Sequence, residues 1–441
     1  MSKTSIHDTL KKTVEDIIFN SKTISEKENE LDNHFHSKYK LLDSEQFKNI
    51  FEKSINNYDK LVISFSHDNY LENYGGIQKC IKTEEEAVCL EGIVYLHIFP
   101  KIARTWLVND NLAADLPLGI NLNGKNIGTT IADNLIHALK TFSINKADCI
   151  IHSPLGLNLR SIIEIGNSLR CQPKWYFWLH DYTTLCPNFN LLRNNVIFCG
   201  APVSNSKQCE NCNAGYDRIN QAQEFKDFFE KIKPVVISPS DLVKQFWLEK
   251  SKLPYHSIHV IPHYTLGEGH KRRIDDTNQN LKIAFVGTPA YFKGWNDFID
   301  LISAFNETPS LFSFYVFASY APRSKQYNFV KVVTNAEETA QMRDQLIKHD
   351  IDIAFIGSLV QETFCLTAYE AIAADTFVVT NYLSGNAAKV VRELSHGYVY
   401  RGIPDLVEYL KDSENYRSII ERRLNKNYRS LISSKITYTN T

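Results

Sequence analysis

The most constraining feature of this 441-residue chain is a double series of short apolar, β-branched runs, each followed by a helix or turn signal. The first half has LVISFS at 61–66, GIVYLHIF at 92–99, Ala147 to His152, WYFWLH at 175–180, VVISPS at 235–240 and HVIPHY at 259–264. The second half has KIAFVG at 282–287, FSFYVFA at 312–318, IDIAFIG at 351–357 and TFVVTN at 376–381. Helix-compatible segments lie between them: Ile77 to Leu90, Leu159 to Leu169, from Asp241, Asn296 to Phe305, and from about Thr363. Continuous apolar runs alternating with helices predict strands buried on both faces, that is, a parallel α/β sheet. The polar stretch 266–281 lacks an apolar period and reads as a linker. Two doubly wound domains of Rossmann-like type are therefore expected, over 58–265 and 282–405. Residues 1–57 form a helical extension, on the helical spacing of Leu10, Val14, Ile17 and Ile18 and of Phe47, Ile50, Phe51 and Ile55. It either packs on the first domain or offers a partner or oligomerisation surface. The tail, 406–441, reads as helical, its Arg422, Arg423, Lys426 and Arg429 forming a solvated basic face.

Composition removes several function classes. With 43% hydrophobic and 22% charged residues the chain is globular, and a net charge of −1 gives no global attraction to nucleic acid or anionic membrane. The N-terminus lacks the apolar core of a signal peptide, and no run reaches the ~18 apolar residues of a transmembrane helix. Nine cysteines without a leader suggest a reducing cytosol.

In open parallel sheets, ligands sit beyond the carboxyl ends of the strands. His67, Gly75-Gly76, His180-Asp181, Gly287, Glu362 and Gly385 all follow predicted strands and should converge on one cleft. The most informative segment is Glu362-Thr-Phe-Cys-Leu-Thr-Ala-Tyr-Glu370-Ala-Ile-Ala-Ala374. From Phe364 it is apolar almost all round, so the helix should be buried. Glu370 is its only charge, and a buried carboxylate needs a partner: a structural ion pair, or the hydroxyls of a ligand. Thr363 is the expected N-cap. Eight residues of helix separate the two glutamates by about 12 Å, too far to share a proton but suited to gripping two ends of a long ligand. The unpaired N–H groups of the helix start lie between them and suit a phosphate.

Glu-x7-Glu followed by Ala-x-Ala-Ala, a strand and a glycine loop resembles the donor site of retaining glycosyltransferases of the GT-B fold, family 4 type. Phe285-Val-Gly287 with Lys293-Gly294 resembles that family's phosphate-binding stretch, with Thr288 where the family has arginine. Gly75-Gly76-Ile77-Gln78 is similar to its glycine-rich loop, and Trp178-Leu179-His180-Asp181 to its sugar-side histidine. The resemblance covers about residues 60–405. It implies a nucleotide-diphosphate sugar as donor, a saccharide, lipid-linked or glycoconjugate acceptor, and surface polysaccharide synthesis at the inner face of the membrane. No metal is implied for the chemistry. It assigns catalytic roles to Glu362, His180 and Lys293. Donor binding falls to Gly75, Gly76, Gly287, Lys293, Phe364, Cys365, Leu366 and Glu370. A sugar-nucleotide epimerase and a catalytically inactive GT-B binding protein remain alternatives. Cys365 stands where the family has glycine.

Cys186, Cys199, Cys209 and Cys212 are spaced C-x12-C-x9-C-x2-C in a loop rich in Asn, Ser, Pro and Gly. The closing C-x-x-C and the count of four suit a structural tetrahedral zinc. Unligated thiols, a redox pair or an iron–sulfur cluster are the other readings. The loop follows His180 and should overhang the acceptor side.

Overall fold

A computed structural model describes residues 39–55, 59–273, 280–308, 310–332 and 341–434. Leu10, Val14, Ile17 and Ile18, and the side chain of Ile55, lie outside what is described. The first half carries β1 (Lys60–Phe65), β2 (Val94–Pro100), β3 (Leu118–Leu122), β4 (Lys125–Thr130), β5 (Lys146–Ile151), β6 (Lys174–Trp178), a small hairpin of β7 (Leu192–Arg193) and β8 (Ile197–Phe198), β9 (Val235–Ser238) and β10 (Ser257–Val260). Its large sheet runs β10-β9-β6-β5-β1-β2-β3-β4. The pairs from β10 to β2 are parallel, and β3 and β4 are antiparallel additions. Alternation along β1 divides its side chains between two cores: Leu61, Ile63 and Phe65 face one, Val62 the other.

The second half carries β11 (Tyr264–Arg273), β12 (Leu281–Val286), β13 (Phe312–Ala318), β14 (Asn328–Lys331), β15 (Ile353–Ile356), β16 (Phe377–Asn381), β17 (Gly397–Tyr400) and β18 (Asn425–Ser433). Six of these form a parallel sheet, β14-β13-β12-β15-β16-β17. Its two faces are covered by separate cores, Ile283 and Phe285 in one, Ala284 and Val286 in the other. Two doubly wound α/β units are thus present, as expected. No helix among the described residues is long and apolar enough to cross a membrane.

Three expectations change. The expected linker, 266–281, is not bare: residues 266–273 belong to β11, which pairs antiparallel with β18 as a two-stranded ribbon, and Leu281 opens β12. The ribbon is mostly open to solvent, so YTLGEGHKRR carries none of the apolar alternation that betrays a strand. Among the described residues the tail is helical only through Ile403–Lys411 and Ser413–Leu424, and then becomes β18. Nor is its basic face simply solvated. Arg423 is buried and bidentate on Asp352 (2.8 and 2.9 Å), Lys426 Nζ donates to the Asp375 carbonyl (2.8 Å), and Arg422 pairs with Asp375. Sequence reading passed over the β3–β4 hairpin, although Asn123 (φ 47°) and Gly124 (φ 74°) make the left-handed two-residue turn that an Asn-Gly pair favours.

The described part of the extension packs inward. On the helix Ser44–Ile55, Phe47 and Phe51 are fully buried, with Phe51 4.6 Å from Phe142. This favours its reading as an extra layer on the first unit.

Asp352 also accepts from the Lys282 backbone N–H at the start of β12 (2.8 Å), so Arg423 ties the tail to the head of the second sheet. Arg423→Ala should leave a buried charge unpaired and lower stability by about 3–5 kcal/mol. Urea unfolding measures this, and Asp352→Asn combined with Arg423→Leu should recover part of the loss.

Candidate functional site

The carboxyl edges of the two sheets face each other across a cleft of about 630 Å³. Its walls hold every residue of the expected donor site: Gly75, Gly76, His180, Gly287, Lys293, Glu362, Phe364, Cys365, Leu366 and Glu370. Thr363 clasps the halves together. Thr363 Oγ1 donates to the His180 carbonyl (2.8 Å), and the Thr363 carbonyl accepts from Ser240 Oγ (2.8 Å). Thr363 is therefore not the N-cap. The helix is shorter than expected, Leu366–Ala373, and its N-cap is Cys365.

Glu362 lies in the loop between β15 and that helix. Its Oε1 accepts from Lys293 Nζ (2.6 Å) and Ser358 Oγ (2.8 Å). Burial pulls the Lys293 ammonium down, but the Glu362 carboxylate more than offsets it, so the lysine stays firmly charged. Two glycines fix this pair. A Cβ on Gly385 (φ 57°) would lie 2.6 Å from the Glu362 backbone nitrogen, and one on Gly294 (φ 79°) 2.1 Å from the Gly357 carbonyl oxygen. Backbone contact this close admits no side chain and sets Glu362 and Lys293 side by side.

Gly75 and Gly76 have a different reason. Neither has positive φ, so no left-handed turn explains them. Gly76 starts the helix Gly76–Leu90, and a Cβ there would meet nothing within 4 Å; the same holds at Gly287. Both positions leave open space at the cleft wall, where a ligand can reach backbone N–H groups.

Glu370 is 2% exposed, and its Oε1 has no hydrogen-bond partner. Lys79 Nζ lies 3.6 Å away, an ionic contact too long for a hydrogen bond. Burial pushes the Glu370 carboxyl up to about 7, with Lys79 pulling the other way. The ion-pair reading is thus present in part, and one carboxylate oxygen carries no hydrogen bond. Sequence reading missed Lys79. Its signal was a cation in the first turns of a helix, where the macrodipole opposes it, which calls for a negative partner. Phe364 stacks on Tyr369 at 4.3 Å and meets His263 edge-on at 5.0 Å, closing the floor beside Cys365.

His180 is buried in a cluster of rings, with Trp178 at 4.8 Å (4°), His263 at 5.0 Å (27°) and His152 at 5.3 Å (14°). Burial and the neighbouring histidines hold it well below the ordinary range, so it is a neutral imidazole.

Cys186, Cys199, Cys209 and Cys212 are all free thiols. Arg218 donates to Cys209 Sγ (2.9 Å). Burial pushes Cys186 up to about 12, with Arg218 pulling it down and Cys199 and Cys212 pushing it up. The thiols thus share one neighbourhood but are not drawn into a closed tetrahedral set. Among the described residues, the potential ligands within 4.8 Å of one another are Cys80, His152 and His180. The loop does reach the second unit: the carbonyl of Val196, between β7 and β8, accepts from the Tyr291 hydroxyl (3.2 Å) in the turn that carries Lys293.

No family model matches this chain. It is 27% identical over 232 residues to a lipopolysaccharide 1,2-N-acetylglucosaminetransferase of Salmonella typhimurium. The match covers 46% of this chain, which spans 59% of that relative's length. Solved structures with a similar outline include Anabaena HepE in complex with UDP-glucose (TM-score 0.46, 10% identity, 82% of this chain and 93% of that one). The pneumococcal O-GlcNAc transferase GtfA with UDP and GlcNAc is another (0.46, 11%, 83% and 92%). Staphylococcus aureus TarM with UDP gives 0.44 at 12%, over 72% and 59%.

Two predictions come from this geometry. Cys365 sits at φ 66°, ψ 73°, a left-handed conformation that costs a side chain about 1 kcal/mol. Cys365→Gly should therefore raise the melting temperature. The Glu370 carboxyl lies higher in the folded chain, about 7, than the ordinary 4.5. Between these values the folded state holds more protons, so stability falls as pH rises through the window. Without ligand, Glu370→Gln should escape that fall, gaining at most about 3 kcal/mol on the wild type above pH 7. Parallel denaturation curves at pH 5 and pH 8 measure the difference.

Proposed function

We propose that this chain is a retaining glycosyltransferase of GT-B, family 4 type. It moves a sugar from a nucleoside-diphosphate sugar to a hydroxyl acceptor. The observation that carries this reading is the cleft itself. It sets Glu362, Lys293, the start of the helix Leu366–Ala373 and Glu370 in series, with His180 on the opposite wall. That series suits sugar hydroxyls, diphosphate and ribose in turn. On this reading the first unit serves the acceptor and the second the donor.

The donor would take Lys293 over from Glu362. The lysine then meets the diphosphate, and the Glu362 carboxylate meets the sugar hydroxyls. The bond from the anomeric carbon to the phosphate oxygen breaks while the acceptor oxygen attacks the same face. The departing phosphate oxygen takes the acceptor proton, so configuration is retained. The transition state is oxocarbenium-like. Lys293 and the helix N–H groups stabilise charge growing on the leaving group, where preorganised donors act most strongly. Thr288, in the arginine position, also lines the cleft, so the cationic work rests on Lys293, with Lys79 at the Glu370 end. The name of the Salmonella relative supports N-acetylglucosamine as the sugar and a surface saccharide as the acceptor.

The donor set Cys186, Cys199, Cys209 and Cys212 suits zinc by chemistry. Such an ion would staple the loop beside the cleft and take no part in transfer. Elemental analysis of the purified protein tests it. About one zinc per chain, lost in Cys209→Ser/Cys212→Ser, is expected; a metal-free stable preparation overturns it.

The decisive experiment offers UDP-N-acetylglucosamine, UDP-glucose and GDP-mannose in a thermal-shift panel, followed by transfer assays with the stabilising donor. An α-linked product from an α-linked donor is expected by NMR. Glu362→Ala and Lys293→Ala should each lower kcat by two or more orders of magnitude with the fold intact. Near-wild-type transfer by either variant overturns the assignment. Conversion of the nucleotide sugar without acceptor would make the protein an epimerase.

A further inference from the structure

A buried hydrogen-bonded chain lies behind His180, and nothing in the transfer chemistry above uses it. His180 follows β6, and His152 follows β5, the neighbouring strand. His180 Nε2 is 3.1 Å from His152 Nδ1. His152 Nε2 is 3.1 Å from Glu84 Oε1, and the Tyr95 hydroxyl donates to the same oxygen at 3.0 Å. His152, Glu84 and Tyr95 are each at most 3% exposed. Meanwhile His180 Nδ1 is shielded from solvent and has no partner, although the residue lines the cleft.

The order of protons along this chain follows from the kinds of atom in it. A carboxylate only accepts, so His152 carries its hydrogen on Nε2. If the same ring holds no second proton, its Nδ1 is a lone pair, and His180 donates to it from Nε2 across the 3.1 Å contact. That leaves Nδ1 of His180 as a lone pair. We propose that Glu84, His152 and Tyr95 are positioning residues that lock His180 in its Nε2–H tautomer, so that its Nδ1 accepts a hydrogen bond from one hydroxyl of the transferred sugar. The selectivity that follows is for a sugar that can donate a hydrogen at that position. The proposal rests on the glycosyltransferase reading for its ligand, but not for its proton order. Cys80 lies within 4.8 Å of the two ring nitrogens. A metal held there would displace the proton between the rings, and it is a competing outcome.

Two measurements test this. The first needs no ligand and no variant fold: histidine side-chain 15N spectra of the full-length protein, with His180→Gln assigning the His180 signals. A protonated Nε2 and an unprotonated Nδ1 on His180 are expected. A protonated Nδ1, an imidazolium at His152 donating towards His180, or a metal-bound Nε2 overturns the proposal. The second compares donors fluorinated at each sugar hydroxyl in turn. In the wild type, one position should raise KM by about tenfold, the worth of one neutral hydrogen bond. In His152→Phe the natural donor should lose about as much, and the same fluoro-donor should lose little more. Independent, multiplying losses would make His152 merely structural and overturn the relay. If no donor turns over at all, the glycosyltransferase reading fails, while the spectra still decide the tautomer.

Discussion

The cleft depends on one small clasp. Thr363 gives its hydroxyl to the backbone of His180 and its carbonyl to Ser240, so a single residue stitches the second sheet to two strand ends of the first. Its neighbours on either side are Glu362 and Phe364, which line the cleft. Movement of one half against the other therefore passes through the residue beside Glu362. Tyr291 and Val196, and the ionic contact of Lys79 with Glu370, add further cross-links nearby.

Charge in this cleft is arranged by burial more than by number. A protein with a net charge of −1 cannot draw an anionic ligand by its overall field. Instead it holds lysines against glutamates: Lys293 on Glu362, and Lys79 near Glu370. Each pair is a stored arrangement that an anionic ligand with hydroxyls can exchange for its own, phosphate for the lysine and hydroxyl for the carboxylate. The open spaces at Gly76 and Gly287 keep backbone N–H groups within reach of the same ligand.

How much of this the sequence showed depends on where each residue faces. Strands such as FSFYVFA are buried on both sides, so their apolar runs were legible, and Phe312–Ala318 matches residue for residue. The ribbon of β11 and β18 faces water and has no such signature. Glu362, Lys293 and Glu370 were legible because their spacing resembles a known donor site. Glu84 and His152 were not, since a glutamate inside an ordinary amphipathic helix and a histidine at a strand end are common and innocent on their own. Their meaning comes only from the packing of that helix across the strands that end in His152 and His180. Arg423 was misread for a similar reason: a basic run looks solvated until its partner, 71 residues away, is placed beside it.

The ribbon that was hidden from sequence reading has a topological effect. The chain leaves the first unit as β11 and returns as β18, and these two strands lie paired along their length. The six-stranded unit between them is therefore looped off with its two ends side by side. It is a cassette: a related unit carrying a different set of cleft residues could be exchanged here with two adjacent splice points and no cut through either sheet.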